Sequence, residues 1–171
     1  MLKGERLALR EWREADVATI AALRNDIELQ SLLMTRARPN PAERVRQWLA
    51  ERASRTDMLF FVIASNADDS VLGYVQVASI DAFQGTGELG ICLQREAQGQ
   101  GIADECCALL EGYAGRTLGL RKFTLRVLAS NARAVAFYRR RGYREIGRLE
   151  RHYPSEGGYE DVILMERFLP R

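Results

Sequence analysis

The sequence predicts a single α+β domain, with a central, mixed but mostly antiparallel twisted sheet of about seven strands and about four helices on its faces. Three observations lead to this fold. The 171 residues suffice for one domain with a buried core. Apolar residues switch along the chain between alternating and helical spacing. The resulting order is strand, helices, three strands, helix, strand, helix and two strands, which fits neither a doubly wound sheet nor a barrel.

The amino-terminal half opens with a strand, turns helical and then forms a hairpin. In Asn40-Pro41-Ala42-Glu43, an asparagine able to cap precedes a proline suited to the first helical turn. A polar turn separates the two apolar runs of the hairpin. The predicted elements are strands at 6–12, 58–65 and 71–80 and helices at 16–26, 28–34 and 40–54.

The carboxy-terminal half is predicted from the same two periods. Apolar residues at spacings of three and four follow a glycine-containing loop, and Gly119 is placed to end that helix. Ser130-Asn131 can cap a later helix, which Gly142 closes. The predicted elements are strands at 87–94, 122–127, 143–152 and 159–168 and helices at 102–117 and 131–141.

Composition argues against several classes of protein. The 25 Lys and Arg nearly balance the 23 Asp and Glu, so a net charge of +2 does not favour nucleic-acid or membrane-surface binding. Cys92, Cys106 and Cys107 lack the spacing of a metal site. No apolar run approaches the roughly 18–20 residues of a membrane span, and Met1 is followed by charge. We therefore expect a cytoplasmic protein without metal, nucleic acid or membrane partners.

Residues 98–103, Gln-Gly-Gln-Gly-Ile-Ala, stand between a strand and a helix. The first amides of a helix lack intrahelical partners and carry about half a positive charge, so a glycine loop there can bind an anion. The spacing lacks both the dinucleotide fingerprint and the Lys-Ser/Thr ending of a nucleotide triphosphate loop. From the loop alone, a tight turn and an anion site remain equally open.

A second segment, 131–143, gives the loop its context. It contains an asparagine, an aromatic-Tyr pair and a Gly-aromatic ending, at Asn131, Phe137-Tyr138 and Gly142-Tyr143. Loop and segment together, over about residues 86–145, resemble the GNAT superfamily of acetyl-CoA-dependent N-acetyltransferases. Less specifically, residues 9–12 with Asp16, and 23–26, resemble its branch of ribosomal-protein N-terminal, polyamine and amino-sugar acetyltransferases.

The resemblance implies a single N-acetyltransferase domain over residues 1–171, with acetyl-CoA as co-substrate. The loop amides would hold the coenzyme pyrophosphate, and a strand that splays from its neighbour would offer backbone groups to the pantetheine arm. Arg133 and Arg140 are alternative contacts for the adenosine phosphate, or simply solvated side chains. The implied cofactor-binding residues are Ile91, Cys92, Leu93, Gln98, Gly99, Gln100, Gly101, Ile102, Ala103, Asn131 and Phe137.

Direct acetyl transfer to an amine needs a base for the amine and a proton for the departing thiolate. Tyr138 is the expected donor to the thiolate, and Glu88 is the candidate base. Some ribosomal-protein acetyltransferases carry a Glu where this chain has Arg126, which leaves Glu88, Glu11 or an ordered water for that step. The Ile91 amide is expected to stabilise the oxyanion. His152 and the cysteines have no sequence context that supports a catalytic role.

The acceptor amine remains open at this stage. Its pocket is expected from residues 25–41, 82–88 and 152–159. Four arginines would favour an acidic acceptor, such as a nucleotide-linked amino sugar, if they face this pocket. The alternative is that they form a solvated basic surface. They are Arg24, Arg36, Arg38 and Arg148. Residues 151–161 resemble those of enzymes acting on protein N-terminal amines, and polyamines are less favoured because no acidic pocket is evident. A noncatalytic acyl-CoA sensor and a homodimer also stay open.

Overall fold

One eight-stranded sheet organises residues 1–170, the part of the chain that the computed structural model describes. Its strand order is β1-β2-β3-β4-β5-β6-β8-β7, and every pairing is antiparallel except that of β5 with β6. The strands are β1 (Leu2–Lys3), β2 (Leu7–Arg10), β3 (Leu59–Ser65), β4 (Val71–Asp81), β5 (Thr86–Leu93), β6 (Lys122–Leu128), β7 (Arg144–Ser155) and β8 (Gly158–Phe168).

Five α-helices accompany the sheet within these residues: α1 (Val17–Asn25), α2 (Ile27–Leu32), α3 (Ala42–Ser54), α4 (Ile102–Arg116) and α5 (Ala132–Arg140). The predicted mixed, mostly antiparallel fold is confirmed. The eighth strand, β1, was not predicted, because a two-residue edge strand is too short to show alternation.

The helices form a layer on each face of the sheet. Neighbouring residues of β3 show the division, since Ile63 packs in the core shared with α4 and α5, whereas Val62 packs in the core shared with α1 and α3. Successive side chains of a strand point to opposite faces, so the alternation in the sequence specifies which helices each side chain meets. α1, α2 and α3 therefore cover one face, and α4 and α5 cover the other.

The helix caps predicted from local sequence signals are only partly correct. Asn131 caps α5 as predicted, since its side chain accepts a hydrogen bond from the Ala134 amide at 3.1 Å. The predicted cap at Asn40 is wrong: Pro41 occupies the cap position of α3 without a side-chain bond. Asn40 is instead buried, and its side chain donates to the carbonyl oxygens of Arg24 and Arg38. It ties the end of α1 to the connection that precedes α3.

A buried ion pair fixes the start of α1. Arg10 at the end of β2 and Asp16 just before α1 are 2% and 3% exposed, and their closest nitrogen and oxygen lie 2.8 Å apart. Asp16 also accepts from the Arg13 amide at 2.7 Å. Bound at both sides, this carboxylate sets where the chain leaves the sheet and where α1 begins. The placement matters because the last turn of α1 carries Arg24.

Candidate active site

The site begins where β5 and β6 stop pairing. Their parallel register contains three pairs, Thr86 with Lys122, Gly87 with Phe123 and Glu88 with Thr124. Beyond Glu88, β5 remains paired with β4 and β6 remains paired with β8. The two strands therefore diverge, as the sequence led us to expect, and a wedge-shaped gap opens between residues 89–93 and 125–128.

The antiparallel pattern identifies which backbone groups of β5 face this gap. The Gln94 amide donates to the Leu72 carbonyl oxygen at 2.8 Å, and hydrogen-bonded pairs alternate along an antiparallel ladder. With the observed register, Cys92 bonds to β4, while Ile91 and Leu93 direct their backbone groups away from β4 toward the gap. Cys92 thus contacts the cleft through its side chain, whereas the sequence had assigned it a backbone role.

The glycine loop closes one end of the gap. Gly99 and Gly101 have φ of 75° and 77°, a left-handed conformation that disfavours any side chain, and Gly101 is the residue that caps α4. The Arg133 guanidinium donates to the Gln98 side-chain oxygen at 3.0 Å and lies beside Gly99. The free amides at the start of α4 and this guanidinium together make an electropositive edge that suits a phosphate.

One cleft of about 870 Å³ brings together most of the predicted site. Two predicted loop residues do not line it: Ile102 is buried in the core behind the loop, and Gln100 turns its side chain to the Glu96 carbonyl oxygen. Those that do line it are Glu88, Ile91, Cys92, Leu93, Gln98, Gly99, Gly101, Ala103, Asn131, Phe137 and Tyr138.

Tyr138 lies at the side of the cleft formed by α5. Its ring contacts Phe137 and Tyr143 edge to face, with centroids 5.1 and 5.4 Å away. Only 8% of the residue is exposed, and burial raises the pKa of the phenol, which keeps it protonated at neutral pH. The hydroxyl is therefore held as a neutral hydrogen-bond donor.

Glu88 sits at the point of strand divergence and faces the cleft. Its carboxylate pairs with the Arg126 guanidinium across the two strands at 3.1 Å, with 37% and 51% of the two side chains exposed. Arg126 is the position at which, by the resemblance described above, some ribosomal-protein acetyltransferases carry a glutamate. Glu11, the other carboxylate considered from the sequence, does not line this cleft.

The opposite wall comes from α1, α2 and α3, and the sequence identified only part of it. The cleft is lined as expected by residues 29–30, 32–35 and 152–153, but not by the turn at 82–87 or by residues 154–159. Of the predicted arginines, Arg24 lines the cleft, while Arg148 pairs with Asp161 at 3.0 Å outside it. Arg36 and Arg38 are exposed and do not line it.

Trp48 and Arg52 are cleft residues that sequence reasoning missed. The available signal was their spacing of four on α3, which places them on one face. Trp48 packs edge to face against Phe60 and Tyr74, with centroids 5.4 and 5.5 Å away. The Trp48 ring of this aromatic cluster stacks against the guanidinium groups of Arg24 and Arg52.

A second cavity, of about 880 Å³, lies between residues 1–6 and α4. Gly101 is the single predicted site residue that lines it. It contains neither Tyr138 nor Glu88, so the chemistry predicted from the sequence is not assembled there.

Metal-binding and membrane-spanning features were not found in residues 1–170. No three or more His, Cys, Asp or Glu side chains of this part of the chain group in a way that could hold a metal ion. Likewise, none of its helices has the length and apolar character needed to cross a membrane.

Comparison with known proteins identifies the family to which the chain belongs. A family profile described as an acetyltransferase (GNAT) domain matches residues 6–144. The chain belongs to the GNAT acetyltransferase family. The match spans the cleft elements from α1 through the glycine loop to α5, whereas His152 on β7 lies beyond it.

Individual GNAT relatives include polyamine enzymes. The chain is 29% identical over 113 residues to spermidine N(1)-acetyltransferase of Vibrio cholerae and 30% identical over 98 residues to that of Escherichia coli K12. These stretches cover 64% and 57% of this chain and 65% and 53% of those enzymes, so less than two thirds of either relative is matched. A crystal structure of the Vibrio cholerae enzyme in complex with CoA and spermine has a TM-score of 0.86, covers 95% of each chain at 24% identity, and supports the fold.

The three cysteines allow a direct test of the site's chemistry. All are buried, and burial raises the pKa of the Cys92 and Cys107 thiols to about 12 and raises that of Cys106 as well. We expect negligible reaction with a thiol reagent at pH 8 in the native protein, because the thiolate is the reactive form. Titration in concentrated guanidinium chloride should expose all three thiols. One rapidly reacting thiol in the folded protein would contradict this prediction and would support a covalent mechanism through that cysteine.

Proposed function

We propose that the protein transfers an acetyl group from acetyl-CoA to a primary amine by direct attack within a ternary complex. One observation carries the proposal: the gap between β5 and β6 continues into the glycine loop at 98–103, in a cleft that also contains Tyr138 and Glu88. An elongated ligand with a phosphate group at one end and a reactive carbonyl at the other matches such a site.

The residues present fit the coenzyme. Loop amides from Gly99 to Ala103 would hold its pyrophosphate, with the Arg133 guanidinium beside Gly99 as a further cation. The Gln98 amide, which the resemblance had included, already donates to the Arg95 carbonyl oxygen at 3.2 Å. Ile91 and Leu93 would offer backbone groups to the pantetheine arm, because β6 no longer pairs with them. Asn131 uses its side-chain oxygen to cap α5, which leaves its NH₂ group free to donate. When bound, acetyl-CoA supplies an activated thioester.

Glu88 is the proposed acceptor of the amine proton, directly or through a water. An amine with a pKa near that of lysine is almost wholly protonated at neutral pH and must lose a proton before it can attack. Glu88 lies where β5 leaves β6, next to the backbone groups proposed for the thioester arm. Arg126 orients this carboxylate, and the pair is accessible enough to open toward an incoming ligand.

Tyr138 is proposed to stabilise the departing thiolate by a hydrogen bond. The sequence suggested full proton transfer from the phenol. However, burial raises the phenol pKa while a free thiol has a pKa near 8.5, so complete transfer would be uphill. A retained phenolic proton still lowers the energy of the thiolate, and solvent or the released amine proton can neutralise it afterwards.

The acceptor is proposed to be a small-molecule amine rather than a protein N-terminus. The relatives named as spermidine acetyltransferases support this choice only in that spermidine is a small molecule and not a protein. A noncatalytic acyl-CoA sensor is the alternative of a different class. A cytoplasmic location and a homodimer remain predictions; size-exclusion chromatography with light scattering would test the dimer.

Replacing Tyr138 with Phe tests the catalytic role. We expect kcat to fall by about 100-fold, the size expected for loss of one hydrogen bond to negative charge that develops in the transition state, with the acetyl-CoA Kd unchanged. Steady-state assays of CoA release and calorimetric titration measure the two quantities. Tyr113→Phe is the matched control, since Tyr113 is a half-buried tyrosine of α4 outside this cleft. Tight coenzyme binding without turnover of any amine, and no effect of Tyr138→Phe, would instead support the sensor.

Replacing Gly99 with Ala tests the loop. The left-handed backbone costs an alanine about 1–2 kcal/mol, and its Cβ would lie 3.4 Å from the Arg133 guanidinium. We expect calorimetry to give an acetyl-CoA Kd for Gly99→Ala that is at least tenfold larger than that of the unchanged protein. Gly119→Ala is the control: φ there is 68°, nothing lies within 4 Å of the added Cβ, and the residue is outside the cleft. Equal effects of the two variants on acetyl-CoA binding would contradict the loop assignment.

A further inference from the structure

Two arginines face the cleft without an acidic partner. Within residues 1–170, neither Arg24 nor Arg52 forms an ion pair, in contrast to Arg126, which pairs with Glu88. Their guanidinium carbons lie 4.0 and 3.9 Å from the centroid of the Trp48 ring. The guanidinium groups are thus held over an aromatic surface and not extended into solvent.

The hydrogen-bonding capacity of these guanidinium groups is only partly used. Arg52 Nε donates to the Gln76 side-chain oxygen at 3.2 Å, and Arg24 Nε is buried without a hydrogen-bond partner. Burial lowers the pKa of both groups, that of Arg52 to about 10 with a further contribution from the nearby Arg24. Two adjacent, half-buried cations without a counter-ion are an unfavourable arrangement that a bound anion would relieve.

The position of the pair relates it to the reacting groups. Tyr74 and Gln76 on β4 stand opposite Cys92 and Gly90 on β5. Arg52 therefore reaches the sheet beside Gly90, two residues along β5 from Glu88, a separation of about 7 Å at the usual strand rise. Side chains at 88, 90 and 92 share one face of the sheet, and that face is the one covered by α1 and α3.

We propose that the acceptor is an anionic amine, a small molecule whose carboxylate or phosphate group is bound by Arg24 and Arg52 while its amine lies at Glu88. This inference rests on the proposed acetyl transfer and specifies its substrate class. The guanidinium fork matches either oxyanion, and the Trp48 and Tyr74 rings provide apolar surface in the cleft for the carbon skeleton between the two ends.

A polyamine is a poor fit to the same wall. It carries several positive charges and no anion, and it would meet two guanidinium groups. The two carboxylates that line the cleft, Glu88 and Asp104, already pair with Arg126 and Arg141. The acceptor specificity of this chain is thus expected to differ from the one named for its spermidine-acetylating relatives.

The test uses acceptors matched in the amine but not in the anion. Glucosamine 6-phosphate is compared with glucosamine, β-alanine with its amide, and spermidine serves as the polycation. CoA release with the full-length protein gives kcat/KM for each. We expect the member of at least one pair that carries the phosphate or carboxylate to exceed both its partner without that group and spermidine by at least tenfold. The pair that responds distinguishes phosphate from carboxylate.

Variants assign the preference to the two arginines. Arg52→Gln and Arg24→Gln should lower kcat/KM for the acceptor that carries the anion, mainly through KM, by at least tenfold more than for the partner without it, and should leave the acetyl-CoA KM unchanged. Arg52→Lys should recover part of the loss, which a purely structural role would not produce. Arg44→Gln is the control, because Arg44 lies exposed on the same helix and donates to the Pro39 carbonyl oxygen outside the cleft.

The outcomes separate the two proposals. The anionic acceptor is overturned, while acetyl transfer stands, by equal or better turnover of spermidine or of the partners without the anion. A loss in Arg52→Gln that is the same for acceptors with and without the anion overturns it as well. No turnover of any acceptor by protein that binds acetyl-CoA in calorimetry overturns acetyl transfer, and the acceptor assignment with it.

Discussion

The divergence of β5 from β6 after Glu88 is the constraint on which the site depends. Three parallel pairs hold the strands together, and beyond them each strand keeps only its outer neighbour. Backbone N–H and C=O groups need partners, so those of Ile91 and the Leu93 amide must bind water or a ligand in the gap. The same divergence brings Glu88 and Arg126 to the mouth of the gap.

The glycine loop extends this arrangement at the far end of β5. The chain leaves the strand at Leu93, makes a short 3₁₀ turn over Arg95–Ala97 and enters α4 through two left-handed glycines. The Gln98 side chain donates to the Leu93 carbonyl oxygen at 3.2 Å, which links the loop to the strand end. The free amides of α4 therefore point into the same cleft as the free backbone groups of β5, and one extended ligand can use both.

The coenzyme half of the site could be predicted because its signals are local. Glycines that must adopt positive φ, an asparagine that caps a helix and a tyrosine at helical spacing each occupy a few consecutive residues. The acceptor half could not be predicted in this way. Arg24, Trp48 and Tyr74 come from α1, α3 and β4, and only the packing of the α-helical layer on the sheet brings them together. Asn40 shows the same limit. Its sequence predicted a cap for α3, but its side chain is buried and donates to the Arg24 carbonyl oxygen instead.

Residue-resolved amide hydrogen exchange, with and without acetyl-CoA, tests the central claim most directly. If the coenzyme occupies the gap, exchange of the Ile91 and Leu93 amides and of those of residues 99–103 should slow on binding. The Cys92 amide, already bonded to β4, should change little. Protection confined to the cavity between residues 1–6 and α4, with no change at Ile91 or Leu93, would contradict the assignment of the gap as the coenzyme site.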